Sequence, residues 1–272
     1  MNSLMVYFSA TKTTEKIVKA IGMGLGDSVT YVDITNMNKK QMIDTVGYDI
    51  IILASPIYGE QIPEMIFSKF QQLELKDKKL IGISVYGNIG YGISLLQYRK
   101  LAIQGGASLF ALGACIGEHT YATKSLDIGY GRPDEKDLRG AEQFGEKIRN
   151  KYQEGNLQMF SVEAPSSKLP QFISNFPDSG TRLIIRSPKA DNEKCNRCGA
   201  CSILCPAGAI DKDTLRIDES KCLRCYACVK RCPKLARTGG LKYAPMEKVF
   251  RLVGKKRKEN LFIIDEYRKQ PI

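Results

Sequence analysis

Several features that mark other protein classes are missing from this sequence. It contains a single histidine, no G-x-G-x-x-G motif after a predicted strand, and no run of about 18 apolar residues, the length that a transmembrane helix requires. We therefore expect no membrane span and no dinucleotide-binding fingerprint. The first residues, MNSLMVYFSA, do not form a secretory signal, so we expect a cytoplasmic protein.

Cysteine, by contrast, is abundant and regularly spaced. Eight of the nine cysteines form two copies of C-x2-C-x2-C-x3-C-P, one at residues 195–206 and one at residues 222–233. No histidine lies near them, which makes a zinc site a poor alternative, and a disulfide framework would need a secreted protein. The doubled run is typical of ferredoxins with two clusters, so the sequence predicts two [4Fe–4S] clusters.

The ligands of each cluster follow from the crossed pattern of such runs, in which the fourth cysteine of one copy binds the other cluster. Thiolates are the soft ligands that iron–sulfur clusters require. The predicted ligands of cluster one are Cys195, Cys198, Cys201 and Cys232. The predicted ligands of cluster two are Cys205, Cys222, Cys225 and Cys228.

The first 150 residues alternate between predicted strands and helices. Helical periodicity predicts helices over Thr14–Leu25 and Asp134–Gln153, and a short helix over Asn38–Val46. The predicted strands are Leu4–Phe8, Val29–Asp33, Ile50–Ala54, Leu80–Tyr86 and Ala107–Cys115. Five strands interleaved with helices predict an α/β fold with a doubly wound, five-stranded parallel sheet.

In such a sheet, ligands bind beyond the carboxyl ends of the strands. The loop after the first strand is rich in hydroxyls and opens a helix, which suits a phosphate. The loops after the third and fourth strands carry glycines and tyrosines, which suit a flat ring. The predicted cofactor-binding residues are Ser9, Ala10, Thr11, Lys12, Thr13 and Thr14 in the first loop, Ser55, Pro56, Ile57, Tyr58 and Gly59 in the second, and Tyr86, Gly87, Asn88, Gly90, Tyr91 and Gly92 in the third.

The segment SATKTT, residues 9–14, resembles the phosphate loop of flavodoxins, with Lys12 where glycine is common. That resemblance implies FMN, with its ring between the loops of Tyr58 and Tyr91 and its phosphate held by Ser9, Thr11, Thr13 and Thr14. Over residues 1–240 the whole chain resembles the fused flavodoxin–ferredoxin proteins of anaerobic bacteria, through YGNIGYG, IGEHTY (Ile116–Tyr121) and the cysteine runs downstream.

These patterns predict four segments: a flavodoxin-like FMN-binding domain at 1–154, a connecting segment at 155–187, a small α+β ferredoxin domain at 188–240, and a C-terminal tail at 241–272 that docks on the body. The tail holds nine basic and four acidic side chains. Such a basic surface suits an acidic redox partner protein. Nucleic-acid binding is the alternative, and we do not expect it.

The function follows from the predicted cofactors. We expect an intracellular electron-transfer iron–sulfur flavoprotein that passes electrons between FMN and the two clusters, to or from a redox partner. The alternative is a reductase that acts directly on a small substrate such as a quinone or a nitro compound. His119 follows the fifth predicted strand, so it is either a hydrogen-bonded loop residue or a functional residue that acts as a catalytic proton donor or contacts the flavin.

Overall fold

The structure, a computed structural model, describes residues 1–26, 28–36, 41–155, 182–254 and 256–264. Most of the predicted connecting segment therefore lies outside the described residues, as do Lys255 and residues 265–272 of the predicted tail. No helix in the described ranges is both long and apolar enough to cross a membrane.

A six-stranded sheet forms the main body. Five of its strands are parallel and are arranged in the order β2-β1-β3-β4-β5. These strands are β1 (Ser3–Tyr7), β2 (Val29–Asp33), β3 (Ile50–Pro56), β4 (Lys79–Tyr86) and β5 (Ser108–Ile116). The predicted doubly wound parallel arrangement is confirmed. The predicted count of five omits a sixth strand, because three residues from the tail, Leu261–Ile263, pair antiparallel with β5.

Helices cover both faces of this sheet. They are α1 (Thr13–Leu25), α2 (Glu64–Phe70), α3 (Ser94–Gly105) and α4 (Glu135–Gln153). Along β3 the side chains alternate between two cores: Ile51 packs in the layer with α2 and α3, and Ile52 in the layer with α1 and α4. Both are fully buried, as expected for a central strand of a parallel sheet.

The predicted short helix over Asn38–Val46 is not present in its described part. Residues 41–46 have no helical structure, and residues 38–40 lie outside the described residues. Local side-chain bonds replace helical ones: Thr45 donates to the carbonyl oxygen of Glu74 at 2.8 Å, and Asp44 accepts from the N–H of Val46 at 2.9 Å.

The cysteine-rich region is a small structure built from two similar halves. It contains a two-stranded antiparallel pair, β6 (Lys189–Ala190) and β7 (Arg237–Thr238), and two single-turn helices, α5 (Ala200–Ile203) and α6 (Ala227–Lys230). The backbone repeats closely, since the equivalent pairs Arg197 and Arg224, Gly199 and Tyr226, and Gly208 and Leu235 all have positive φ. Three of these six positive φ angles belong to arginine or tyrosine residues, and these residue types rarely adopt a positive φ.

The C-terminal part of the chain returns to the first domain. It forms helix α7 (Ala244–Gly254) and then strand β8 (Leu261–Ile263), which completes the sheet. Phe262 of β8 stacks on Phe144 of α4 with ring centroids 4.4 Å apart. Asn260 accepts from the N–H of Ile116 at 2.8 Å and so aligns β8 with β5.

Helices α1 and α4 lie in close contact because glycines stand where their backbones meet. A Cβ atom added at Gly145 would overlap the carbonyl oxygen of Ile21, and one added at Gly24 would overlap that of Glu142. Gly140 lies on the same helix as Gly145, but a Cβ atom there would come no closer than 3.8 Å to any neighbour.

This difference predicts opposite effects for the same substitution. Gly145→Ala should lower the free energy of unfolding by about 1–3 kcal/mol, because the added methyl group forces the helices apart. Gly140→Ala should raise it by up to about 1 kcal/mol, because alanine favours the helix more than glycine does. Urea unfolding of both variants tests the prediction, and equal effects of the two would contradict it.

Candidate functional site

A cavity of about 560 Å³ lies at the carboxyl ends of the parallel strands. The three loops predicted from the sequence form one side of it. The predicted residues that line the cavity are Ala10, Thr11, Thr13, Thr14, Pro56, Ile57, Tyr58, Gly59, Tyr86, Gly87 and Gly90. The loop after β5 adds a further set that runs from Gly117 to Tyr121 and includes His119.

One end of the cavity has the chemistry of a phosphate site. Thr11 and Thr13 bring their hydroxyls to within 3.3 Å of each other, and Thr13 is the first residue of α1. The first N–H groups of a helix have no intrahelical acceptor and form the positive end of the helix dipole. Hydroxyls and free N–H groups at this point fit an anion such as the FMN phosphate.

Two predicted cofactor-binding residues of the first loop do not line the cavity. The Lys12 ammonium group lies 2.7 Å from Glu15 and 3.3 Å from Asp33, so two carboxylates already neutralise it. Ser9 is buried, and its hydroxyl accepts the N–H of Glu15 at 3.0 Å. Both residues therefore stabilise the first turn of α1 and its entry loop.

Four further predicted residues also lie outside the lining. The buried Ser55 hydroxyl bonds to the carbonyl oxygen of Pro56 at 2.8 Å. Tyr91 packs edge-on against Tyr86 with centroids 5.5 Å apart. Gly92 has a φ of 51°, and a Cβ atom there would overlap the backbone of Glu60, so close packing explains this glycine.

Asn88, the fourth of these residues, binds the tail. Its amide group donates to the carbonyl oxygens of Gly254 at 2.7 Å and Lys256 at 3.0 Å. Its carbonyl oxygen accepts the N–H of Lys258 at 3.1 Å. The side chain thereby fixes the end of α7 beside the cavity. The spacing of the third loop could not indicate this role, because the partners lie more than 160 residues away.

His119 lines the cavity and packs closely against Gly87. Its Nδ1 atom accepts the N–H of Tyr121 at 3.2 Å, so the neutral ring carries its proton on Nε2. Burial, together with the nearby Lys230, lowers the pKa of His119 to about 4. An imidazole that is neutral near pH 7 favours the hydrogen-bonded loop interpretation over that of a catalytic proton donor.

The far wall of the cavity is apolar and comes from the second half of the chain. No motif in the sequence marks these residues as part of the site, although the apolar spacing of the tail helix is a usable signal. They are Leu183, Ile184, Ile185, Leu223, Met246, Val249, Phe250 and Val253. No lysine or arginine lines the cavity among the described residues.

A second, smaller cavity lies in the cysteine-rich region and brings together the four predicted ligands of cluster two, Cys205, Cys222, Cys225 and Cys228. They come from both copies of the run. Burial, followed by the neighbouring thiols, raises the pKa of Cys225 and Cys228 to about 12. A bound metal is therefore what would hold these buried sulfurs as thiolates, because coordination deprotonates a thiol. The four residues fit a [4Fe–4S] cluster.

The predicted ligands of cluster one lie closer to solvent. Cys198 is exposed, whereas Cys225 and Cys228 are each only 8% exposed. Cys232 accepts the N–H of Ala236 at 3.3 Å, and Cys205 accepts that of Ala209 at 3.2 Å in the same way. The two cysteine runs thus have equivalent backbone contacts but unequal burial.

Models of two known protein families match separate parts of the chain. A flavodoxin-domain model matches residues 4–88, and a 4Fe-4S dicluster model matches residues 187–233. The chain is a flavodoxin–ferredoxin fusion. The flavodoxin domain implies FMN, and the dicluster domain implies [4Fe–4S] clusters.

Solved structures similar to the fusion include an archaeal flavodoxin, with 16% identity, a TM-score of 0.40, and coverage of 56% of this chain and 99% of the flavodoxin. A flavodoxin from Streptococcus pneumoniae has 20% identity, a TM-score of 0.41 and coverage of 56% and 99%. Rubredoxin oxygen:oxidoreductase from Desulfovibrio gigas has 13% identity, a TM-score of 0.45 and coverage of 58% and 37%. No curated protein sequence matches the fusion.

The hydroxyl pair at the start of α1 leads to a test of FMN binding. Thr13→Asp should weaken binding by at least about 100-fold, because like charges about 4 Å apart repel by about 4 kcal/mol at an effective dielectric constant of 20. Thr13→Asn is the matched control, since it has nearly the same shape without the charge. Titration of flavin-free protein with FMN gives both dissociation constants. Equal binding by the two variants would place the phosphate elsewhere.

Proposed function

We propose that this fusion is an electron-transfer flavoprotein in which the FMN site and cluster two are neighbours and cluster one is the contact point for a redox partner. The observation that carries the proposal is the position of Leu223. This residue lines the FMN cavity and also the cavity of the four cysteines, so a single side chain lies between the two predicted cofactor sites.

Other contacts support this adjacency. Tyr58 and Tyr121 both line the FMN cavity, and the nearby Cys225 contributes, after burial, to raising the pKa of each phenol. Tyr121 packs edge-on against Tyr226, which directly follows Cys225, with ring centroids 4.8 Å apart. The two halves are also joined by an ion pair between Lys230 and Glu118.

Burial supports the order of the cofactors. The ligands of cluster two include two of the most buried cysteines, whereas cluster one includes the exposed Cys198. When bound, FMN supplies one- or two-electron chemistry, and each cluster supplies one-electron chemistry. Residues of α7 form part of the wall of the FMN cavity. Because Cys198 is exposed, we expect a partner protein to approach at cluster one.

The partner itself is part of the proposal, and we infer an acidic protein. The basic tail is less suited to attract an acidic partner than its net charge suggests, because two of its basic side chains are already bound. Arg257 pairs with Asp134 at 2.6 Å, and the Lys258 ammonium group donates to the carbonyl oxygen of Ile89. The exposed Arg197 and Lys234 adjoin predicted ligands of cluster one and are better placed for docking.

Removal of cluster two tests the proposed order. Anaerobically prepared Cys205→Ala should retain FMN and cluster one, with iron falling from about eight to about four per chain. Reduction of its FMN by a reduced ferredoxin should be at least tenfold slower than in the unaltered protein, as followed by stopped-flow absorbance. Cys115→Ala, which changes a buried cysteine outside both runs, is the control. An unchanged rate in a four-iron Cys205→Ala protein would refute the relay.

A second candidate function is suggested by the far wall of the FMN cavity. The wall is aliphatic and aromatic, and no cation lines the cavity among the described residues. Such a surface suits a neutral, apolar molecule and does not suit the phosphates of a nicotinamide dinucleotide. The fusion would then reduce a quinone-like substrate with electrons received through the clusters.

Neighbouring positions on α7 separate the two candidates. Val253 lines the cavity, whereas Leu252 is 76% exposed and does not. If a neutral naphthoquinone is reduced in the cavity, Val253→Arg should raise its KM at least tenfold, which corresponds to about 1.4 kcal/mol. Leu252→Arg should leave KM unchanged, and FMN content is checked in both. Equal KM values would eliminate the reductase candidate.

A further inference from the structure

The two cysteine runs each place an arginine two residues after the first cysteine, but the two arginines have different surroundings. Arg197 in the first run is exposed and donates to the carbonyl oxygen of Asp213 at 2.6 Å. Arg224 in the second run is only 4% exposed. Both residues have the same left-handed backbone, with φ values of 57° and 56°. The difference therefore lies in what surrounds the side chains.

The Arg224 guanidinium group is held on two sides. It donates to the Ser187 hydroxyl at 3.0 Å and pairs with Glu219. Arg224 lies two residues after Cys222 and directly before Cys225, both predicted ligands of cluster two. These contacts fix a positive charge beside that cluster.

One N–H group of this side chain remains without a partner. The Nε atom of Arg224 is buried and has no hydrogen-bond acceptor among the described residues. A buried donor without an acceptor costs about 1–3 kcal/mol. Because Arg224 lies in the chain between the predicted ligands Cys222 and Cys225, a sulfur atom of a bound cluster is a suitable acceptor. The arrangement therefore fits a cluster at this position.

A charge in this place affects how readily a cluster is reduced. Reduction adds one negative charge, which burial disfavours and a nearby cation favours. Hydrogen bonds to sulfur, net charge and solvent exposure are the factors by which a protein sets the potential of a cluster. Cluster two is the more buried of the two predicted clusters, so it has the greater need for a compensating charge. The Glu219 side chain is 61% exposed, so solvent weakens its opposing charge without cancelling it.

We propose that Arg224 is a positioning residue that raises the reduction potential of the cluster held by Cys205, Cys222, Cys225 and Cys228, and that Arg197 has no such effect on cluster one. This inference rests on the two-cluster arrangement of the proposed function. It adds that the two halves of the repeat are tuned differently, which keeps the buried cluster reducible by electrons that arrive through the exposed one.

Redox titration of the anaerobically prepared full chain, followed by electron paramagnetic resonance, tests the proposal. Arg224→Gln should lower the midpoint potential of one cluster so that its reduced-to-oxidised ratio at a fixed potential falls at least tenfold, or about 59 mV for one electron. Arg197→Gln, the matched control, should leave both midpoints unchanged. Arg224→Lys, which keeps the charge, should lie closer to the unaltered protein than Arg224→Gln does.

Glu219→Gln makes the test specific for charge. This substitution removes the negative partner of Arg224, so it should raise the midpoint potential of the same cluster. The shift is opposite in sign to the one expected for Arg224→Gln. A purely structural role would give loss of iron, or shifts of the same sign, in both variants, and either result would overturn the proposal. If Arg224→Gln fails to assemble, an unchanged or lowered midpoint in Glu219→Gln overturns it.

Iron content separates this inference from the proposed function. If the unaltered protein holds about eight irons and Arg224→Gln leaves both midpoints unchanged, the role of Arg224 is rejected. The two-cluster arrangement then stands. About four irons in the unaltered protein would reject the two-cluster arrangement and the inference with it.

Discussion

The hydrogen bonds between Asn88 and the tail are the contacts on which the form of the FMN site depends. Asn88 follows β4 with a left-handed backbone, and its amide bonds to three backbone groups of the C-terminal segment. These bonds set where α7 ends and where the chain turns toward β5. The apolar wall of the cavity and the sixth strand of the sheet both follow from that turn. In an isolated flavodoxin-like domain, residues 1–154, this wall would be absent, and the flavin loops would face solvent.

The cysteine-rich region shows how one repeated sequence can serve two environments. Its halves share backbone angles and N–H···S contacts, because the cysteine spacing imposes the same path on both. One half packs against the flavodoxin domain through Tyr226 and Leu223, while the other faces solvent. The symmetry therefore belongs to the backbone, whereas positions such as Gly199 and Tyr226 differ between the halves. The equivalent residues Arg197 and Arg224 have different surroundings, since Arg197 is exposed and Arg224 is buried.

Local patterns predicted the sheet well. Strand β2 begins and ends at the predicted residues, and α1 and α4 each begin within one residue of the prediction, because strong periodicity and capping act over a few residues. The crossed pattern of such cysteine runs predicted the grouping of Cys205 with the second run, and Cys205 lines one small cavity with Cys222, Cys225 and Cys228. Predictions that depended on the direction of a side chain were weaker. Lys12 and Tyr91 lie in loops that reach the cavity, but their side chains do not line it. Lys12 pairs with Glu15 and Asp33, and Tyr91 packs against Tyr86.

What the sequence could not reveal were contacts between distant segments. The three-residue β8 is too short to show a period, and Asn88 looked like a ligand residue because its partners lie far along the chain. The Arg224 side chain is held by Ser187, which lies 37 residues earlier in the chain, and by Glu219. His119 combines both cases. Its position at a strand end indicated that it lies at the cavity, but its lowered pKa arises from burial and from Lys230 in the other domain, which the local sequence does not show.

The placement of β8 has a consequence for the biosynthesis of the protein. Domains generally fold in order from the amino terminus as the ribosome extends the chain. Here β5 remains an open sheet edge until residues 261–263 have emerged, and open edges are prone to pair with other chains. The cysteine runs emerge before that strand. The nascent protein therefore has all of its predicted cluster ligands available before its sheet can close. Metal loading can thus precede closure of the flavin cavity.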